Sequence, residues 1–117
     1  MIVKMNNKDE NFYKYMGKIF GSRLIQNQTN DRIYDDNNKL WYISLEEDIV
    51  VAFVSVSNDI IKNVYGTKEE ALKEILKEVK KDNKIKDSTV TTLYEELYKE
   101  AGYKVVKDVY KNFVVIS

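Results

Sequence analysis

The chain of 117 residues reads as one α+β domain: a mixed, largely antiparallel sheet of about six to seven strands with helices on both faces. Three observations predict this. Between Leu40 and Tyr65, three strand-like segments follow one another across short polar turns, which is a meander. From Thr67 the apolar spacing switches to the helical period. After Gly102 it returns to strand-like runs until the end. A meander followed by helix–strand crossovers needs both antiparallel and parallel neighbours.

The elements follow in order. Met1 to Met5 alternates well enough for a short strand, and Asp9 is placed to cap a helix in which Phe12, Met16, Ile19 and Phe20 share one face. Gly21-Ser22 breaks that helix, and Ser22 to Asn30 offers a further helical turn. Asp35-Asp36-Asn37-Asn38 is a turn. Strands Leu40 to Leu45 and Ile49 to Ser57 form a hairpin through Glu46-Glu47-Asp48. Ser57-Asn58-Asp59 then turns into a third meander strand, Ile60 to Tyr65.

Thr67 and Glu70 have capping-box spacing, and Ala71, Leu72, Ile75, Leu76 and Val79 line one face of the helix behind them. Lysines crowd its last turns, as the helix dipole favours. Ile85 to Val90 supplies a short strand. A helix from Thr91 to Ala101 ends on Gly102, a residue suited to a left-handed C-cap. Tyr103 to Tyr110 and Asn112 to Ile116 are strands around Lys111.

Composition excludes several chemistries. With no cysteine and no histidine, zinc fingers, thiol catalysis, disulfides and Ser-His-Asp arrangements are ruled out. Nineteen basic and nineteen acidic residues cancel, so the chain lacks the global positive field that nucleic-acid binding uses. The longest apolar run, Ile49 to Val56, is too short to span a membrane. Lys4 and the polar run from Asn6 to Asn11 interrupt any signal-peptide core, so a cytoplasmic location is expected. The bias toward Lys, Asn, Ile and Tyr, with no proline, points to A+T-rich coding DNA, as in low-GC bacteria and their phages.

The run Leu97-Tyr98-Lys99-Glu100-Ala101-Gly102-Tyr103, placed at the end of this order of elements, resembles the GNAT acyltransferases (the Gcn5-related N-acetyltransferase superfamily). There a leucine-tyrosine pair closes the last helix and a glycine-aromatic pair follows. The resemblance implies a GNAT-like fold, acetyl-CoA as cofactor and Tyr98 as the general acid that protonates the departing thiolate. A phenol with a pKa near ~10 is protonated at neutral pH and suits that task. It also places Val64, Gly66, Thr67 and Lys68 beside coenzyme A wherever coenzyme A binds.

The chain departs from the family pattern where the pyrophosphate should dock. The family loop carries an arginine or glutamine and two glycines, so that backbone N–H groups can approach the phosphates at a helix start. Here the fourth strand runs through Val64-Tyr65-Gly66-Thr67-Lys68-Glu69-Glu70 with one glycine and a shortened loop. Glu69 and Glu70 stabilise the helix start but repel an anion docking there, and Thr67 is expected to occupy one of its N–H groups. Thr91 and Tyr94 stand where the family usually has asparagine and alanine.

Other features have bland readings beside the sharp ones. Tyr94 and Tyr98, four residues apart, also suit simple packing. Glu46, Glu47 and Asp59 are carboxylates near strand ends, none of them singled out as a general base. Asp31, Asp35 and Asp36 lack the calcium-loop register, so no metal site is expected. Arg23 and Arg32 suit either an anionic partner or plain solvation. Trp41 reads as core, its indole N–H reaching a backbone partner. Lys77, Lys80, Lys81, Lys84 and Lys86 read as a solvated helix end.

The expected function is that of a GNAT-fold, acyltransferase-like protein that has lost the usual acetyl-CoA site, needs no cofactor and acts through protein contacts. A peptide adding at the splayed sheet is one such contact, and a homodimer exchanging the C-terminal hairpin is another. The alternative is an active acetyl-CoA-dependent N-acetyltransferase with an atypical cofactor loop and Tyr98 as general acid.

Overall fold

The computed structural model describes the backbone of residues 1–117 and the side chains of residues 1–106 and 111–117. Strand β1 (Ile2–Met5) leads into helices α1 (Phe12–Phe20) and α2 (Arg23–Thr29). The meander is β2 (Leu40–Glu46), β3 (Ile49–Ser57) and β4 (Ile60–Gly66). Helix α3 (Glu69–Asp82) crosses to β5 (Ser88–Thr91), a 3₁₀ turn (Thr92–Tyr94) and helix α4 (Glu95–Glu100). The chain closes with β6 (Val105–Tyr110) and β7 (Phe113–Ile116).

Two antiparallel sheets result, one in the order β1-β2-β3-β4 and one in the order β5-β7-β6. The hairpin turns are tight because their central residues adopt left-handed geometry. Glu47 and Asp48 have φ of 50° and 63°, and Asn58 and Asp59 have 52° and 64°. Two consecutive positive φ values match the right-handed twist of the flanking strands. Gly102, at φ 94°, is the left-handed residue that ends α4 and allows the chain to turn into β6.

The first sheet is covered on both faces. On one side α1 and α2 bury Phe12, Met16 and Ile25 against Trp41, Ile43, Phe53 and Tyr65. On the other, Leu72, Ile75, Leu76 and Val79 of α3 pack on Tyr42, Ala52, Val54 and Val64, and Leu97 and Tyr98 of α4 join the same cluster. The sides alternate residue by residue along β2 and β3, as a pleated strand requires. On β4 a register shift against β3 between Ser55 and Val56 interrupts the alternation. Ile61 and Val64 therefore belong to the α3 side, while Tyr65 faces α1.

Several local expectations are corrected. Thr67 does not cap α3: its hydroxyl donates to the carbonyl of Val51 at 3.2 Å, because its backbone N–H is already tied to that oxygen. The N-cap is Lys68, which supplies no side-chain cap. Asp9 accepts from the N–H of Asn6, and Asn11 precedes α1 as N-cap. The indole of Trp41 donates to the Asp35 carboxylate at 2.8 Å rather than to a backbone group. Ser22 caps α2, accepting from the N–H of Ile25.

Candidate functional site

Strands β4 and β5 start together. The N–H of Lys86 donates to the carbonyl of Asp59 at 2.8 Å, and the N–H of Ile61 donates to the Ser88 hydroxyl at 2.9 Å. The two strands nevertheless belong to different hydrogen-bonded sheets. Because β4 is the last strand of its sheet, its β5-facing edge has no strand partner near Gly66.

That edge is met by a side chain. The 3₁₀ turn after β5 carries Tyr94 back toward β4. The N–H of Gly66 donates to the Tyr94 hydroxyl at 3.1 Å, and the same hydroxyl donates to the Gly66 carbonyl at 3.3 Å. A phenol can do both at once, because its oxygen accepts while its hydrogen is given away. Burial raises the Tyr94 pKa above its ordinary value, partly opposed by the bond to Gly66.

Tyr98 is fully buried and donates to the carbonyl of Thr91 at 2.7 Å. Burial drives its pKa well above 10, helped by the neighbouring Tyr94 and by Asp31. Thr91 in turn caps the 3₁₀ turn, its side chain accepting from the N–H of Leu93. The tyrosine singled out by sequence thus spends its hydroxyl on the end of β5.

Beside Tyr94 lies an open groove of about 380 Å³ between the start of α3 and the turn into α4. Leu93, Tyr94 and Leu97 supply its apolar lining, and Glu69, Glu95, Glu96 and Glu100 surround them. Carboxylates so placed give the groove a negative potential that favours cations and opposes anions. Of the remaining cofactor candidates, Val64 is buried opposite Val54, and Lys68 is ion-paired with Glu46. Gly66 has a packing reason to be glycine: a Cβ there would lie 2.9 Å from Cβ of Leu72 and 3.3 Å from that of Ala52.

A second polar cluster gathers around Asn63 of β4. Lys39 is only 4% exposed. Its ammonium donates to the Tyr34 carbonyl at 2.7 Å and to Asn63 Oδ1 at 3.0 Å, and sits 3.8 Å from the centre of the Tyr34 ring. Ser55 also donates to Asn63 Oδ1, while the Asn63 amide donates to Asp31. Burial lowers the Lys39 pKa against the pull of Asp36, Asp31 and Asp35, and burial raises that of Asp31. These groups satisfy one another and hold the α2–β2 connection on the sheet.

Asp31 thus joins this cluster, and Asp35 binds Trp41. Among the described residues, no three His, Cys, Asp or Glu side chains gather to hold a metal ion. The Arg32 carbonyl accepts from Asn63. Arg23 opens α2. Among the described residues, no helix is long and apolar enough to cross a membrane.

No family model and no curated protein matches the chain. The crystal structure of Escherichia coli ElaA does match in shape, with a TM-score of 0.68 over 99% of this chain and 97% of that one, at 10% sequence identity. Agreement over both full lengths shows the GNAT-like α+β fold.

Proposed function

We propose that this protein is a GNAT-fold, acyltransferase-like domain that does not use acetyl-CoA and works by contacting another protein. One observation carries the reading: the Tyr94 hydroxyl engages both backbone groups of Gly66 at the β5-facing edge of β4. A cofactor with a pyrophosphate would also have to lie against Glu69, Glu95, Glu96 and Glu100. It would meet a helix start whose first turn already holds Glu69 and Glu70 and whose nearest cation, Lys68, pairs with Glu46. These residues do not fit that group.

The competing reading keeps acetyl-CoA and makes Tyr98 the general acid, with Val64, Gly66, Thr67 and Lys68 along the cofactor. It is favoured by the position of Tyr98 in α4, ahead of Gly102. It requires the hydroxyl to leave Thr91 and reach a thiolate.

Titration of the purified chain with acetyl-CoA, followed by calorimetry and thermal shift, separates the two. A ligand at about 100 times its Kd stabilises a fold by about 2.7 kcal/mol. The proposed function expects no heat and no shift at millimolar acetyl-CoA, and saturable binding would overturn it.

A further inference from the structure

We infer that Tyr94 is a latch over a strand-addition site on β4, and that the occupant admitted when it swings away is an extended peptide carrying positive charge. This rests on the reading that the domain works through protein contacts, and it assigns the place and chemistry of the contact.

The first ground is the pair of bonds on Gly66. An edge residue with N–H and C=O turned to one side is what an added strand pairs with, through main-chain hydrogen bonds. Here one phenolic oxygen substitutes for that partner, accepting at 3.1 Å and donating at 3.3 Å. The substitute belongs to a short 3₁₀ turn and is itself only half-buried. Its displacement leaves Gly66 needing a new donor and acceptor, which a peptide backbone supplies together.

The second ground is what adjoins the latch. Tyr94, bonded to Gly66, also lines the groove with Leu93 and Leu97, and Leu93 is 52% exposed. A lysine or arginine side chain lays its methylene stem on such a surface and keeps its charged head outward. Glu69 and Glu100 line the same groove for those heads to meet, as does Glu96 beside its partner Lys99. Charge complementarity therefore selects a basic strand and rejects an acidic one.

The test uses the whole chain, wild type and Tyr94→Ala, and two blocked pentapeptides: one alternates lysine and valine, the other glutamate and valine. In wild type the ligand must first break both bonds between Tyr94 and Gly66, a cost the variant does not carry. Tyr94→Ala is accordingly expected to bind the lysine peptide about tenfold more tightly, with the Gly66 amide resonance moving on titration. Equal affinity in the two proteins, an unmoved Gly66 amide, or equal binding of the glutamate peptide would overturn the inference.

Should Tyr94→Ala fail to fold, Tyr94→Phe keeps the ring and removes only the hydroxyl. Its Gly66 amide should then exchange with solvent about tenfold faster than in wild type, while that of Leu72, bonded to the Lys68 carbonyl, stays unchanged. Unaltered Gly66 exchange overturns the latch. Binding of acetyl-CoA by wild type would instead overturn the proposed function, so the two failures are distinct.

Discussion

Tyr98 of α4 reaches back across the 3₁₀ turn to donate its hydroxyl to the carbonyl of Thr91, the last residue of β5, at 2.7 Å. Both residues are buried, so water cannot replace the donor. Tyr98→Phe keeps the ring in place and leaves the Thr91 oxygen without this partner. The expected loss is about 1–3 kcal/mol of stability, read as a lower urea midpoint with an unchanged denaturant slope. A loss near zero would show that the carbonyl finds another donor.

Alkaline solution should weaken the fold through its tyrosines. Burial raises the pKa of Tyr98 well above 10 and also raises that of Tyr103 and Tyr94. Between about pH 10 and their folded values, the native chain keeps protons that the unfolded chain has released. Their contribution is complete below about pH 10 and is lost as the pH rises through the folded values. Urea unfolding at successive pH values measures the slope, and Tyr98→Phe should flatten it. A stability that climbs with pH in this range would contradict the assignment.

Asn63 is the hub of a buried polar cluster. Its Oδ1 accepts from Lys39 and Ser55, and its amide donates to Asp31. Asn63→Ala removes one of the two acceptors of the buried Lys39 ammonium and the acceptor of the buried Ser55 hydroxyl together, so a loss of about 2–4 kcal/mol is expected. Ser55→Ala removes one donor and leaves Asn63 bonded to Lys39, and should lose only about 1 kcal/mol. Thermal unfolding of the two variants checks the order.

Gly66→Ala tests packing rather than backbone freedom. The new methyl would meet Cβ of Leu72 at 2.9 Å and Cβ of Ala52 at 3.3 Å, and both belong to fixed elements. Overpacking of this kind lowers stability by about 1–3 kcal/mol. Leu72→Ala should not relieve it, since the nearest atom is the Cβ that alanine retains. Recovery in that double variant would show that side-chain bulk, not element spacing, sets the limit.

Much of the architecture is legible in residue types alone. Ile49 to Ser57 is a strand over the expected bounds, because a short, nearly continuous apolar run rich in β-branched residues lies between two polar turns. Gly102 ends α4 in left-handed geometry as read. What escaped the sequence depends on distant backbone. Thr67 and Glu70 have capping-box spacing, but the Val51 carbonyl is within reach of the Thr67 hydroxyl and only tertiary structure reveals that. Lys39, beside Asn37 and Asn38, has the look of an exposed turn residue. It is buried because the Tyr34 carbonyl and Asn63 bracket it.

The candidate site was legible in part. Glu69 and Glu70 do occupy the first turn of α3, and Tyr98 does lie in α4, beside the junction with β5. The meeting of Tyr94 with Gly66 is 28 residues distant in sequence. It has no local signal beyond a tyrosine where the family usually has alanine. The register shift on β4 is equally silent, because bulges leave no fixed residue pattern.

Burial of the first sheet on both faces has a consequence for how β2 finds its alignment. In a one-sided sheet, sliding a strand by one residue throws its apolar side chains into water. Here the same slip would merely exchange Trp41 and Tyr42 between two interiors, so hydrophobicity alone discriminates weakly. The polar tips make the distinction: the Trp41 indole has Asp35 on one side of the sheet, while the Tyr42 hydroxyl has Asp82 and Asn83 on the other. Two neighbouring aromatics act as keys cut for different locks, and the strand is in frame only when both have turned.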